Sequence, residues 1–164
     1  MFEILEKRVL NPDVKLMVID APVVARKAEP GQFIILRVRE GGERIPLTIA
    51  DFDRNEGTVT IIFQEVGKTT RLLGTLDKGD FILDFVGPLG VASHFENVKS
   101  AAVIGGGLGT AIAYPQAKKL HSMGVNVDAI TGFRNKDLII LEEEMKQASN
   151  RLFITTDDGS NGNK

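Results

Sequence analysis

Cysteine is absent from the 164 residues, and histidine occurs only at His94 and His121. The chain therefore contains no disulfide, thiol nucleophile or cysteine-bound iron–sulfur cluster. Two isolated imidazoles make a zinc site improbable, and we predict no metal site. Neither histidine has a plausible catalytic partner close in the sequence, so we expect both to be surface or packing residues.

A strong charge of either sign and long apolar runs are also missing. The formal net charge is −2 and the basic residues are spread along the chain, which argues against nucleic acid or an anionic membrane as a partner. No stretch approaches the roughly 18 apolar residues of a membrane span. The N-terminal MFEILEKRVL mixes charges with hydrophobic residues, unlike a signal peptide. We therefore expect a cytoplasmic protein that binds no membrane.

Apolar residues make up 43% of the chain, which is typical of a globular protein, and they follow two different rhythms. Short runs rich in Val, Ile, Phe and Thr alternate with turn signals up to about residue 96 and predict an antiparallel barrel. A short helix is predicted over about 69–76. The predicted strands cover 2–10, 14–19, 33–39, 45–50, 58–64 and 81–86.

From about residue 99, continuous apolar strands alternate with helices. Strands are predicted over 101–106, 125–132 and 151–156, with helices to about 123 and over 141–148. This β-α-β-α-β order predicts part of a doubly wound parallel sheet. We place the boundary between the two domains at 97/98. A three-stranded sheet leaves an edge poorly covered, so we expect the chain to be a fragment, or its sheet to be completed by a partner or by self-association.

GKTT (67–70) is the first candidate for a binding site. A Walker P-loop needs a glycine where this chain has Ile62, which excludes an ATP loop of that kind. The free N–H groups and hydroxyls at a helix start would suit a diphosphate. A surface helix capped by Thr69 or Thr70 is the commoner arrangement, and locally it is favoured.

Two further motifs belong to the barrel half. In RIPLT (44–48), the Arg could contact a phosphate and the Thr a ring edge, although such residues are also ordinary at a strand start. In FVGPLG (85–90), two glycines around a proline suit a tight turn at the end of a strand.

IGGGLGTA (104–111) follows a predicted buried strand and opens a helix, as a dinucleotide-binding loop does. Its glycines offer bare backbone to a diphosphate, and we favour a nucleotide site over a purely structural turn. Arg134 or Lys136 could meet a ribose 2′-phosphate or simply be solvated charges. Asp157 could accept a hydrogen bond from a ribose or nicotinamide group, or form an Asp-Gly turn.

The order of these motifs resembles the ferredoxin–NADP reductase superfamily. Within it, ERIPLTIAD, FQEVGKTTRLLGTL and DFVGPLG look most like the electron-transfer subunits related to that of dihydroorotate dehydrogenase. That group includes the small subunit of NADH-dependent ferredoxin:NADP oxidoreductase (once called sulfide dehydrogenase) and hydrogenase γ-type subunits. The likeness covers the whole chain. It implies a Greek-key FAD-binding barrel followed by an incomplete α/β domain that binds NAD(H) or NADP(H).

The resemblance also implies roles for individual residues. Thr48 would lie near the reactive N5 edge of the flavin and is the one residue that we predict to be catalytic. The residues implied in FAD binding are Arg44, Pro46, Leu47 and Thr48 along the flavin, Ile62, Phe63 and Gln64 beside the ribityl and adenosine portion, and Gly67, Lys68, Thr69 and Thr70 at the pyrophosphate. Those implied in nicotinamide dinucleotide binding are Gly105, Gly106, Gly107, Gly109, Thr110, Gly132 and Arg134, to which we add Asp157.

The chain departs from the family pattern in three ways. Three residues, not two, separate Arg44 from Thr48, and Ala-Ile replaces the frequent Ala-Pro after the glycine loop. The family also continues with further strands and with four cysteines for an iron–sulfur cluster, which this chain lacks.

The expected function is a flavoprotein electron-transfer subunit of a heteromer, which passes a hydride from NAD(P)H to FAD and single electrons to a larger catalytic or iron–sulfur subunit. The alternative is a flavin-binding or docking module without nicotinamide activity.

Overall fold

A computed structural model describes residues 1–162 of the chain. These residues form two compact units, one covering Met1–Ala92 and the other beginning at Ser93. The domain boundary predicted at 97/98 remains a prediction, and each unit is described by itself.

The first unit is an antiparallel sheet of seven strands with two helices. The sheet has the order β6-β1-β2-β5-β4-β3-β7, in which the placement of β2 beside β5 gives a Greek-key connection. The two edge strands follow each other in the chain with only Leu83 between them, so the sheet is nearly closed into a barrel. The elements are β1 Phe2–Asn11, β2 Val14–Asp20, α1 Pro22–Lys27, β3 Phe33–Arg37, β4 Arg44–Asp53, β5 Thr58–Gln64, α2 Lys68–Thr75, β6 Phe81–Ile82 and β7 Asp84–Leu89.

Alternation along the strands fills the inside of the barrel. In β5, Val59, Ile61 and Phe63 are almost completely buried in one core, because successive side chains of a strand point to opposite faces. Leu73 of α2 joins the same core, which anchors this helix to the barrel. The sequence thus determines which side of each strand faces inward.

The sequence did not predict three features of this unit. The six-residue helix α1 carries no clear helical period, although Pro22 stands in its first turn, where proline is well tolerated. The strand predicted over 81–86 is interrupted at Leu83, whose N–H bonds to carbonyls of the β3 end. The GPLG segment is not a terminal turn but continues β7, with a bulge against β3. A Cβ at Gly87 would lie 2.6 Å from Ile34 Cγ2, so close strand packing requires glycine there.

The second unit is a three-stranded parallel sheet with the order β10-β9-β8. Its elements are β8 Ser100–Gly106, α3 Thr110–Ser122, β9 Asn126–Phe133, α4 Glu142–Gln147 and β10 Arg151–Thr156. These strands and helices are those predicted, to within a few residues. Among the described residues, β8 and β10 each have one strand neighbour, which leaves both edges of the sheet unpaired.

The described part of the chain contains no helix with the length and apolar character needed to cross a membrane. Within residues 1–162 there is also no group of three or more acidic or histidine side chains that could hold a metal ion.

Candidate functional site

The outer face of β3, β4 and β7 carries three rows of side chains. Paired residues of neighbouring antiparallel strands share a face, so the register defines each row. The charged row contains Arg44, Arg37 and Asp84; the apolar row contains Pro46, Ile35 and Val86; the hydroxyl row contains Thr48, Phe33 and Leu89. Successive rows lie two residues apart, so Arg44 and Thr48 are separated by about 13 Å along β4.

The charged row is held together by the carboxylate of Asp84. Arg44 donates a hydrogen bond from Nη2 to Asp84 Oδ2 at 3.1 Å. The same oxygen lies 2.8 Å from Arg37 Nε, a close ionic contact whose angle does not make it a well-aligned hydrogen bond. Two guanidinium groups and one carboxylate leave the row with a net charge of +1.

The other two rows form an apolar surface that ends in a hydroxyl. Val86 is 54% exposed and Pro46 is exposed, whereas Ile35 is half-buried between them. Thr48 stands beyond this apolar surface, opposite Phe33 in the register. The extra residue between Arg44 and Thr48 puts both on one side of the strand, because residues four apart in a strand share a face.

The helix α2 begins at the predicted phosphate-binding segment. Its N-cap is Gly67, not Thr69 or Thr70 as the capping alternative expected. Thr70 stands three residues inside, where its Oγ1 accepts a hydrogen bond from the Gly67 N–H at 2.9 Å. The first N–H groups of a helix have no partner within the helix, so those of Lys68 and Thr69 are available to an anion.

Thr69 joins this helix start to the beginning of β4. Its Oγ1 donates a hydrogen bond of 2.8 Å to Glu43 Oε2, and Glu43 directly precedes Arg44. Two segments that are more than 20 residues apart in the sequence are therefore neighbours. Together they form one surface that runs from the hydroxyl row, along β4, to the N-terminus of α2.

Four of the predicted FAD-binding residues have side chains that are buried or half-buried. The half-buried Leu47 side chain packs against the barrel core, and the Phe63 side chain lies within that core. Ile62 is 6% exposed and faces away from the core cluster, and Gln64 at the end of β5 is half-buried.

The glycines at the end of β8 and directly after it divide into two kinds. A Cβ at Gly105 would lie 2.8 Å from Thr110 Cα, so this glycine allows the strand to pack on the helix start. Gly106, Gly107 and Gly109 have open space where a Cβ would stand, and Gly107 has a φ of +51° that favours glycine. The bare backbone of these three residues is accessible to a ligand.

Thr110 opens α3 and is completely buried. Its hydroxyl oxygen has no hydrogen-bond partner within residues 1–162. A buried polar atom without a partner is unusual in a folded protein, and it marks the start of this helix as a place to look for a ligand or an ordered water molecule.

The other predicted nucleotide residues meet at the carboxyl edge of the parallel sheet. Gly132 of β9 is the register partner of Gly106 in β8 and of Thr155 in β10. The loop after β9 is tied to the turn after β10, since the Asp157 N–H bonds to the carbonyl of Phe133 at 3.0 Å. Open α/β sheets bind ligands at this edge.

A hydrogen-bond network stiffens the same edge. The Lys136 N–H donates to Ser160 Oγ at 2.8 Å, and the Ser160 N–H donates to Asp158 Oδ1 at 2.9 Å. Hydrogen bonds from the side chain and the N–H of Ser160 hold the pKa of Asp158 below its ordinary value. Arg134 and Lys136 remain exposed on the loop.

A groove of about 680 Å³ runs beside β8. Its walls include Ile104 and Ile112, which are 70% and 50% exposed, together with Gly105, Gly106 and Gly109 of the glycine loop. Ile104 of β8 and Ile112 of α3 thus present apolar surface on this side of the second unit.

Sequence reasoning missed four residues of the outer face of the barrel: Arg37, Ile35, Asp84 and Val86. Arg37 and Ile35 lie on β3, outside every motif, whereas Asp84 and Val86 lie in DFVGPLG, where no role was assigned to them. Nothing in the sequence connected Asp84 with Arg44.

No protein-family model matches the chain. A chain of the NADH-dependent reduced ferredoxin-NADP oxidoreductase structure superposes on all of this chain with a TM-score of 0.95, at 43% identity, and 59% of that chain is covered. The chain has a ferredoxin reductase-like fold. The nearly closed barrel and the parallel α/β unit thus confirm the predicted fold class.

Curated relatives confirm the predicted resemblance. The "dihydroorotate dehydrogenase B (NAD(+)), electron transfer subunit homolog" of Thermotoga maritima is 45% identical over 99% of this chain and 57% of its own length. An "uncharacterized protein in adh 3'region" of Clostridium beijerinckii is 51% identical over 98% of this chain and 56% of its own length. The chain with this ferredoxin reductase-like fold therefore spans little more than half of the length of these relatives.

Proposed function

We propose that the chain is the FAD- and nicotinamide-binding part of a flavoprotein electron-transfer subunit. Its homologues carry the name of electron transfer subunits, and its fold is that of the ferredoxin reductases. The bound FAD would accept a hydride from NADH or NADPH and release electrons singly. The chain's own residues bind, orient and shield the reacting groups.

The hydrogen bond between Thr69 and Glu43 carries this proposal. This bond places the start of α2, with its free N–H groups, beside β4, which carries part of the apolar row. A flavin dinucleotide needs both parts, one for its diphosphate and one for its ring system. Arg44, Lys68 and the N–H groups at the start of α2 would meet the diphosphate. Pro46 and its neighbours in the apolar row would lie against the ring system, and the Thr48 hydroxyl would meet the polar edge of the ring.

The Glu43 carboxylate is a feature of this surface that opposes an anion. It accepts the hydrogen bond that the Thr69 hydroxyl could otherwise donate to a phosphate, and it carries a negative charge. Its side chain is exposed, so it is free to turn toward solvent when a phosphate takes the donor. The fit is therefore sound, with a small unfavourable contribution that can be measured.

The glycine loop after β8 is the proposed site of the nicotinamide dinucleotide. Gly106, Gly107 and Gly109 expose backbone N–H groups at the start of α3, where a diphosphate binds favourably. Gly132 at the end of β9, and Arg134 and Asp157 on the loops that follow β9 and β10, lie at the same edge and would contact a ribose. Gly105 would contribute strand–helix packing instead of a contact.

An iron–sulfur protein is the proposed recipient of the single electrons. The chain has no cysteine to ligate a cluster, so the cluster would belong to a larger partner subunit or to a further part of the protein. The cytoplasm is the proposed location. The apolar groove beside β8 is the proposed point of contact for whatever completes the parallel sheet, including a second copy of the chain.

A spectroscopic titration tests the proposal. Purified chain freed of ligand is titrated with FAD, and the visible flavin bands and the flavin fluorescence report binding. We expect one FAD per chain, followed by bleaching of the flavin bands when NADH or NADPH is added without oxygen. The nucleotide that bleaches the flavin at lower concentration identifies the preferred donor.

Each half of the proposal can fail separately. A chain that takes up no FAD would refute the whole function. A chain that binds FAD but is bleached by neither nucleotide would support the alternative of a flavin-binding or docking module without nicotinamide activity.

A further inference from the structure

The charged row of the barrel contains an acidic residue to which the sequence assigned no role. Asp84 is the first residue of β7, Arg37 is the last of β3 and Arg44 is the first of β4. We propose that Asp84 is a positioning residue, which holds the Arg44 guanidinium where it meets the FAD diphosphate. The inference rests on the proposed function, since it concerns how that site is prepared for its ligand.

The geometry requires Arg44 to reach across a strand. β4 and β7 are both neighbours of β3, so their backbones are about 10 Å apart. Arg44 Nη2 nevertheless lies 3.1 Å from Asp84 Oδ2. The arginine side chain is therefore laid along the outer face, over Arg37, and does not extend into solvent.

The fold has little need of this contact. The Arg44 side chain is 57% exposed, and ion pairs with such an exposed partner contribute little to stability. A free arginine loses much conformational freedom when it binds a ligand. Because Asp84 has already fixed the side chain, that loss is smaller when the diphosphate binds.

Arg37 explains why an acid can serve beside an anion site. Its Nε lies 2.8 Å from the same carboxylate oxygen, and its side chain is only 24% exposed. Arg37 offsets the charge of Asp84 and fixes the position of its carboxylate. The positive charge of Arg44 thus remains available to a phosphate, and its other N–H groups can donate to one.

A double-mutant cycle measures this role. FAD dissociation constants are determined at physiological ionic strength for the complete chain and for its Asp84→Asn, Arg44→Gln and doubly substituted forms. We expect Asp84→Asn to weaken FAD binding roughly three- to tenfold, which corresponds to the freedom of one long side chain. In the Arg44→Gln background the same substitution should leave affinity unchanged or raise it, because only the removal of a negative charge remains.

Two further variants separate positioning from other effects. Asp84→Glu retains the carboxylate and should bind FAD within about twofold of the unmodified chain. Asp20→Asn removes the same charge from the exposed end of β2 and should not change FAD affinity. Circular dichroism verifies the fold of each variant, and Asp84→Ser replaces Asp84→Asn in the cycle if the latter does not fold.

The outcomes are distinct. Tighter binding of FAD by Asp84→Asn in both backgrounds would show that Asp84 merely repels the ligand, which overturns the inference. Equal weakening in both backgrounds, or no recovery with Asp84→Glu, would also overturn it, because Asp84 would then not act through Arg44. An unmodified chain that binds no FAD would overturn the proposed function, and this inference with it.

Discussion

The barrel unit and the α/β unit differ in how their strands find partners. In the barrel, the edge strands β6 and β7 follow each other in the chain, so the sheet nearly closes on itself. In the α/β unit, β8 has one strand neighbour and carries Ile104 with 70% of its surface exposed. The candidate FAD residues lie on strands of the barrel and at the start of α2, whereas the candidate nicotinamide residues lie at strand ends, at the start of α3 and on loops at the edge of a small sheet.

This difference suggests that the proposed FAD site depends on strand pairing within the barrel, whereas the proposed nicotinamide site depends on the support of loops. A closed, separately packed barrel can hold its outer face in place by itself, because register fixes each row. An open three-stranded sheet has less support for its loops. We therefore expect FAD binding to persist in this chain more readily than nicotinamide binding, and the five predictions below test that contrast.

The largest effect is expected for Phe63→Ala. Phe63 is almost fully buried in the barrel core, so truncation should lower the free energy of barrel unfolding by about 3–5 kcal/mol. Thr60→Ala on the same strand faces outward and should cost less than about 0.5 kcal/mol. Chemical denaturation followed by circular dichroism measures both. Equal losses would contradict the assignment of Phe63 to the core.

Lys68→Glu should have the largest effect on the ligand. It places a negative charge at the start of α2, where the FAD diphosphate is proposed to bind, and should raise the FAD dissociation constant roughly 10- to 100-fold. Lys78→Glu makes the same change at an exposed turn of the barrel and serves as the control. Unchanged FAD affinity in Lys68→Glu would remove this residue from the site.

Gly105 and Gly106 should respond differently to alanine. Gly105→Ala places a Cβ 2.8 Å from Thr110 Cα and should destabilise the α/β unit by about 1–3 kcal/mol. Gly106→Ala points into open space at a φ of −116°, and should change stability by less than about 0.5 kcal/mol.

Gly106→Ala should nevertheless weaken NADH or NADPH binding, since a methyl group would stand where the dinucleotide approaches. FAD affinity should stay unchanged in both variants. Nucleotide titration at constant FAD occupancy is the measurement, and a Gly106→Ala chain with full nicotinamide affinity would remove this glycine from the site.

Glu43→Gln should tighten FAD binding by about two- to fivefold. The substitution removes a negative charge that lies beside the proposed diphosphate position, an effect of the size usual for exposed charges at a helix start. Glu56→Gln, in an exposed turn of the barrel, is the matched control. Weaker binding by Glu43→Gln would instead make Glu43 a direct contact of the ligand.

The smallest effect concerns acid stability of the α/β unit. Hydrogen bonds from the Arg151 side chain hold the pKa of Asp128, in β9, below its ordinary value. A lowered folded pKa stabilises the unit above the unfolded pKa of about 3.9, and this contribution is lost as the pH falls through the folded pKa. Asp128→Asn should therefore make the unfolding free energy of the α/β unit less dependent on pH below about pH 4. The pH dependence of barrel unfolding should stay unchanged.

Most of the α/β unit and most barrel strands were predictable from the sequence. The continuous apolar run AAVIGG identified a parallel strand, and alternation identified barrel strands. The prediction that AAVIGG is buried was wrong, because β8 is an edge strand with Ile104 exposed. Helix α1 was missed because six residues give no period. The interruption at Leu83 was missed because it depends on hydrogen bonds to the end of β3.

The candidate site was only partly predictable. The order of RIPLT, GKTT and GPLG indicated the barrel motifs, and the glycine loop indicated the second site. The burial of Phe63 and Leu47 follows from alternation along their strands, whereas the neighbours of each motif residue on the outer face required the register. Asp84 required it too, since its partner Arg44 lies 40 residues away in the sequence.

The sequence by itself determined the order of the elements, the lack of any thiol or cluster ligand, and the motifs that point to two nucleotides. These properties depend on local residue type, and so they can be read one segment at a time. Only the tertiary structure decided that Glu43 meets Thr69 and that Asp84 meets Arg44. Such contacts depend on how strands pair and on where a helix caps the barrel, and pairing between distant segments leaves no local pattern in either partner.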